Sequence, residues 1–237
     1  MGFTIWLAAA TVQAAVILSP TVDGDIDDNG VNGYAIDSSD VRILTQSSGP
    51  DIRGIYEFDL ASIPGGSTIT GATLSLTLSG TLSNTGGNPV TVTFYGYTGN
   101  GTIEFTDFLE IASVVATETY PSDSGNRPPI GTTFSINLTD LTALQAASDS
   151  GTRYFGIVTD THNFATYSIY SSEAAVAEGL KPSLTVNYVP EPGPGSLVCL
   201  RWPPWHCGGG APKTRPPEVP GSRCGPCRAE RFVLRSA

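Results

Sequence analysis

A chain of 237 residues, 14% of them charged and with a net charge of −10, is long enough to bury one self-sufficient core. The charge is unevenly placed: residues 1–192 hold 20 acidic and 5 basic side chains, net −15, while residues 193–237 hold 2 and 7, net +5, and all four cysteines. Five scattered cations exclude nucleic-acid binding by the acidic part, because neutralising phosphates needs stripes of Lys and Arg, and the lack of Cys before Cys199 excludes a disulfide framework there.

In chain order, Phe3 to Ala14 is an apolar run too short to span a bilayer, and its Val12-x-Ala14 pattern fits signal-peptidase cleavage before Ala15. Residues 1–14 therefore read as the end of a leader, with a buried first strand as the other reading. The acidic cluster Asp23 to Gly30 contains Asp25-x-Asp27-x-Asn29-Gly30, the first half of a calcium loop, in which oxygen ligands alternate before a glycine turn. Asp23, Asp25, Asp27 and Asn29 are the candidate calcium ligands, and calcium is the one cofactor the chain points to. The twelfth position of a full loop, where a bidentate Glu belongs, is Ile36, so a solvated Asp/Asn/Gly turn is the alternative.

Period-two alternation between turn residues predicts strands at Val16–Ser19, Val41–Thr45, Gly54–Leu60, Thr68–Ser79, Val90–Thr98, Ser113–Thr119, Thr133–Leu138, Arg153–Thr159, Ala165–Ser171 and Ser183–Tyr188. The clearest, Ala72 to Leu78, places Ala72, Leu74, Leu76 and Leu78 on a core face and Thr73, Ser75 and Thr77 on a wet one. One helix is predicted over Asp140–Ala147, capped by Thr139 or Asp140. Many short strands without a fixed repeat indicate an all-β fold, a two-sheet β-sandwich or jelly roll rather than a propeller.

Nucleophilic chemistry in this part has one histidine to draw on, His162, read as a polar loop residue. No Gly-x-Ser-x-Gly elbow accompanies it. Glycoside hydrolysis needs two positioned carboxylates, and neither Glu57 nor Asp59 stands out from ordinary alternation on an exposed face. Sugar binding uses exposed aromatics with a polar rim. If Val90, Val92 and Phe94 face the core, then Tyr95 and Tyr97 face out with Thr91 and Thr93, and Tyr170 has the phase to join them. Tyr95, Tyr97 and Tyr170 are thus a candidate carbohydrate platform, against the reading that they are ordinary strand tyrosines.

Arg53-Gly-Ile-Tyr-Glu-Phe-Asp-Leu-Ala-Ser-Ile-Pro64 followed by Ile69-Thr-Gly-Ala-Thr-Leu-Ser-Leu76 resembles the DNRLRE-type jelly-roll domain of secreted bacterial and archaeal proteins. Asn137 to Leu144 resembles its short helix, Tyr154-Phe-Gly-Ile157 its penultimate pairing, and Ile169 to Glu173 with Lys181 to Tyr188 its closing strands. Ser172-Glu173 departs from the family's frequent Ser-Arg-Glu. The resemblance covers Val16 to Val189. It implies a jelly-roll β-sandwich of two antiparallel sheets with one short helix over residues 15–189, without enzymatic activity. Some members bind polysaccharide, and many are modules of surface proteins.

Pro190-Glu191-Pro192 resembles the start of a PEP-CTERM sorting signal, in which an apolar helix and an arginine cluster follow. That implies an exported protein of a Gram-negative-type bacterium, at the cell surface, outer membrane or outside the cell, with an exosortase-type sorting machinery as partner. Extracellular polysaccharide is the second expected partner, and a polysaccharide-degrading enzyme the remotest reading. Here the segment after Leu200 carries Arg201, Pro203 and Pro204 where about 20 apolar residues are needed to span. A shifted codon register over Arg201 to Gly210 can spell an apolar helix end and four arginines, so residues 190–237 are expected to be a PEP-CTERM-like start followed by a disordered tail that is a frameshifted reading of the anchor. Cys224-Gly-Pro-Cys227 has the spacing of a redox tetrapeptide or half a zinc site, but no βαβ pattern surrounds it.

Overall fold

The computed structural model describes residues 12–28, 40–44, 51–84, 89–123, 125–162, 165–174 and 177–191. The chain divides into two units, Met1–Leu197 and Val198–Ala237. The second unit, with the four cysteines, lies outside the described residues.

The strands are β1 (Ala14–Leu18), β2 (Pro20–Asp27), β3 (Asp40–Leu44), β4 (Ile52–Asp59), β5 (Thr68–Thr77), β6 (Ser83–Asn84), β7 (Val90–Gly99), β8 (Val114–Tyr120), β9 (Thr133–Asn137), β10 (Tyr154–His162), β11 (Ala165–Tyr170) and β12 (Ser183–Val189), with one helix, α1 (Thr142–Asp149). They build the expected all-β sandwich of two antiparallel sheets. The smaller sheet has the order β1-β12-β5-β9; the larger runs β6-β11-β3-β4-β10-β7-β8, and β2 also pairs with β4. Successive strands change sheet at β1/β2, β4/β5, β5/β6, β8/β9, β9/β10 and β11/β12, so the two layers are joined by repeated crossovers.

β5 shows why the layers form. Ala72, Leu74 and Leu76, with Leu78 just beyond the strand, are buried between the sheets, while Thr73 and Ser75 point outward. Each buried leucine stabilises the fold by roughly 1.5–3 kcal/mol, and a slip of one residue would turn the leucines out to water. Thr77 departs from the expected wet face: it is buried, and its hydroxyl bonds that of Thr133 at 2.9 Å. Tyr56, Phe58, Phe94 and Phe155 fill the same interior. Helix α1 adds Leu144 and Ala147 to it. Gln145 ties the helix to the start of β5, accepting from the Ile69 amide at 2.9 Å and donating to the Ser67 carbonyl at 3.1 Å. The helix begins two residues later than the predicted start, and the Asp140 carboxylate accepts from the Thr142 amide at 2.9 Å.

Two expectations are corrected. The segment read as an acidic turn or calcium loop is strand β2 up to Asp27, paired with β4 from Pro20↔Phe58 to Asp27↔Ile52. The outer face of the larger sheet, expected to be wet, carries a second apolar cluster of Ile26, Ile55, Tyr97, Ile103, Phe108 and Val158. The connection between β7 and β8, with a short 3-10 turn at Asp107–Leu109, supplies Ile103 and Phe108 to that cluster.

Candidate functional site

β2 inverts the usual pattern of apolar side chains inward and carboxylates outward. Ile26 joins the outer cluster, and the alternate residues Asp23 and Asp25 are buried. Each carboxylate does the work of a neighbouring strand's carbonyl. Asp25 Oδ2 accepts the backbone amide of Arg42 at 2.9 Å, and the Arg42 guanidinium donates to both oxygens, Nε at 3.1 Å and Nη2 at 2.9 Å. Asp23 accepts the backbone amide of Ser172 at 2.8 Å and its hydroxyl at 2.7 Å.

These bonds are needed because β3 meets β4 through a single residue pair, Leu44↔Ile52, while β2 occupies the rest of that edge. Where the ladder stops, the carboxylates bridge the seam. Gly54 gives β3 room to approach: a Cβ there would lie 2.6 Å from Val41 Cγ1 and 2.7 Å from Thr159 Oγ1. Burial pushes the Asp23 carboxyl up to about 7, Glu173 adding to the rise and the Ser172 bonds opposing it. Tyr56, paired opposite Asp23, is held well above its ordinary value, first by burial and then by Tyr167 and the two aspartates.

The alternation that resembled a ligand set is therefore that of a strand. Asp23 and Asp25 are engaged with Ser172 and Arg42, Asp27 ends β2, and Asn29 lies outside the described residues. Among the described residues, no group of three or more His, Cys, Asp or Glu is placed to hold a metal ion. Replacing Asp25 by Asn is expected to lower stability by roughly 1–3 kcal/mol, because the buried acceptor of the half-buried Arg42 amide is weakened. Arg42→Ala is expected to lose more, since the carboxylate stays buried without its cation. Urea denaturation of both variants checks the order, and unchanged midpoints would refute the clamp.

A third buried carboxylate was not singled out by alternation. Glu57, read as an exposed strand residue, is fully buried. Its Oε1 accepts the Tyr97 hydroxyl at 2.9 Å, and its Oε2 accepts the amides of Asn100, at 3.2 Å, and Gly101. Burial raises its pKa, with the Tyr97 and Gly101 bonds opposing. Tyr97 and Glu57 lie on strands either side of β10 and are both paired with Gly156. The Tyr97 ring crosses β10 directly over that glycine, where a Cβ would be 2.0 Å from the ring. The row Tyr97–Gly156–Glu57 was the available sequence signal, since a glycine opposite a tyrosine leaves room for the ring to lie across the strand.

The same connection is fastened further along. Arg53 stacks its guanidinium 4.2 Å from the centroid of the Phe108 ring, donates to the Phe108 carbonyl, and pairs with Asp160 at 3.3 Å. Asp107 accepts the Glu104 amide at 2.7 Å, and its carboxyl is pushed up to about 6, chiefly by burial. Phe105 stacks on Phe108 with centroids 5.9 Å apart.

The three candidate tyrosines do not form one platform. Tyr97 is buried, contrary to the outward orientation expected of it. Tyr95 is half-buried against the outer cluster. Tyr170 is on β11, four strands from β7 in the sheet, or roughly 19 Å at 4.7–4.9 Å per strand. His162 closes strand β10 instead of sitting in a loop, and Asp59 caps the next turn by accepting the Ala61 amide at 2.7 Å. Of the sorting motif, Pro190 and Glu191 follow β12 directly, and the Glu191 carboxylate lies against the Gly66 turn; Pro192 lies outside the described residues. No protein-family model matches this chain, and no curated protein matches it.

Proposed function

We propose that this protein is an exported, non-enzymatic module that is held at, or released from, a bacterial surface, where it contributes to extracellular matrix. The observation that carries the reading is how close the first and last described strands come to the two predicted processing points. β1 begins at Ala14 and β12 ends at Val189, next to the predicted leader cleavage and to Pro190-Glu191-Pro192. Removal of residues 1–14 leaves Ala15–Leu18 paired with Leu184–Asn187, so maturation does not dismantle the sandwich. The use of Asp23, Asp25 and Glu57 as internal clamps also supports a scaffold. In this reading an exosortase-type machinery is the partner that acts at Pro190 to Pro192.

A carbohydrate platform of Tyr95, Tyr97 and Tyr170 is not favoured, because one ring is buried and the other two stand far apart. Intact-mass analysis of the protein from fractionated cells tests the proposal. The expected result is a surface or secreted species that begins at Ala15 and is processed beyond Val189. A cytoplasmic species with the mass of all 237 residues would overturn it.

A further inference from the structure

The connection from β7 to β8 opens with Asn100-Gly101-Thr102, and the turn itself dictates the first two of these residues. Gly101 has a φ of +87°, which favours glycine, and a Cβ there would lie 2.8 Å from Tyr154 Cζ. Asn100 is exposed, and its Oδ1 accepts the Thr102 amide at 2.9 Å and the Thr102 hydroxyl at 2.6 Å; asparagine commonly makes this bond to the backbone two residues on. Deamidation of asparagine needs the same pair, a carboxamide followed by a backbone nitrogen that no side chain shields. In that reaction the Gly101 nitrogen forms a bond to Asn100 Cγ and releases its proton. The bond from Cγ to the side-chain nitrogen breaks, and ammonia leaves carrying that proton. Water then opens the cyclic imide at one carbonyl or the other, giving aspartate or isoaspartate, whose main chain is lengthened by a carbon.

In the folded protein both reacting groups are held. The Gly101 amide donates to Glu57 Oε2, as the Asn100 amide does at 3.2 Å, and Glu57 is fully buried with its Oε1 accepting the Tyr97 hydroxyl. The nitrogen is thus turned toward a buried carboxylate and the carboxamide oxygen toward Thr102, so bringing the nitrogen onto Cγ requires these bonds to part. We propose that Asn100 is a site of deamidation gated by the Glu57 clamp, protected while Glu57 holds the turn and modified when the turn opens locally. The opening is local because Asn100 and Thr102 are exposed, whereas Tyr97 and Ile103 on either side are buried. The change is one-way. Its product sets a new carboxylate, or a lengthened main chain, at the residue whose amide Glu57 holds, and a second carboxylate there disfavours reclosure. The connection that covers the outer cluster with Ile103 and Phe108 is therefore loosened as the molecule ages. Export is not required for any of this chemistry.

The purified full-length chain is incubated at physiological temperature in mildly alkaline buffer, folded or unfolded in urea, and the peptide carrying Asn100 is followed by mass spectrometry for the exchange of amide for acid and for its isoaspartate form. Peptides are resolved because Asn29-Gly30 and Asn32-Gly33, which lie outside the described residues, can react as well. The folded parent is expected to convert Asn100 about tenfold more slowly than the unfolded chain, or slower still. Thr102→Val, an exposed change that frees the carboxamide, and Tyr97→Phe, which weakens the hold of Glu57, are expected to convert it several-fold faster than the parent while circular dichroism shows them folded. Leu76→Ala, which weakens the core far from this turn, is expected to leave the rate unchanged. Asn100→Asp, the product written into the chain, is expected to take up deuterium faster at the Gly101 amide and through residues 103–108. Conversion of the folded parent as fast as the unfolded chain, no conversion in any folded variant, equal acceleration by Leu76→Ala and Tyr97→Phe, or unchanged exchange in Asn100→Asp would overturn the proposal. A cytoplasmic, unprocessed protein that still shows the gated conversion would remove the proposed function and leave this site standing.

Discussion

Gly156→Ala is expected to lower the thermal midpoint by about 10 °C, through a loss of roughly 3–5 kcal/mol in a domain of this size. The added methyl would lie 2.0 Å from the Tyr97 ring, and neither β10, paired on both sides, nor the ring, buried beneath the β7–β8 connection, has room to yield. Displacing the ring takes its hydroxyl from Glu57, whose buried carboxylate also holds the Asn100 and Gly101 amides. Tyr97→Phe isolates the hydrogen bond by keeping the ring, and a smaller loss of about 1–3 kcal/mol is expected for it. Because the two positions share one contact, Gly156→Ala combined with Tyr97→Ala should destabilise by less than the sum of the separate changes. Differential scanning calorimetry orders the variants; a Gly156→Ala midpoint within 2 °C of the parent protein would show that the ring does not cross β10 as described.

Stability is expected to fall as pH rises from about 4 to about 8. Asp23 is pushed from its ordinary 3.8 to about 7, first by burial and then, against the Ser172 bonds, by Glu173. Asp107 is pushed to about 6, again by burial first, and Glu57 moves in the same direction. The folded state thus keeps protons that the unfolded chain has already released. Wherever the folded state binds more protons, raising the pH favours unfolding, so the stabilisation is complete below the unfolded value and is lost as pH passes the folded one. For Asp23 alone the difference is on the order of 4 kcal/mol as an upper bound. Asp23→Asn keeps the shape and the acceptor for the Ser172 amide, and its Nδ2 can donate to the Ser172 hydroxyl. This variant should be more stable than the parent above pH 7 and flatter between pH 4 and 7. Urea midpoints measured at intervals across that range are the check, and a midpoint that climbs steadily from pH 4 to pH 8 would contradict the argument.

The strands that face one core and one solvent layer were legible. In β5, Leu74 and Leu76 alternate with Thr73 and Ser75, and period two is sufficient to assign both the strand and its inward face. β2 was not legible because its carboxylates point inward and its apolar residues outward. Asp23 and Asp25 look like ligands until Arg42 and Ser172, 17 and 149 residues away, are seen to be their partners. A period-two reading of Val22, Gly24 and Ile26 against Asp23 and Asp25 carries the strand, but it does not say which phase is buried. Tyr97 failed for a related reason. Alternation gives the side of the sheet on which a residue lies, and it is silent on whether another segment covers that side. The β7–β8 connection does cover it, through Ile103 and Phe108. Tyr170 and Tyr95 share a plausible phase, but strand order, which depends on long-range pairing, separates them.

The seam between β3 and β4 also makes the larger sheet uneven in how it can breathe. Over most of that boundary the attachment of β3 and the end of β11 runs through two aspartate side chains, where the remaining strands are zipped backbone to backbone. Side-chain tethers can let go singly, whereas a ladder opens cooperatively. Deuterium is therefore expected to enter at the Arg42 and Ser172 amides well before it reaches the centre of β10.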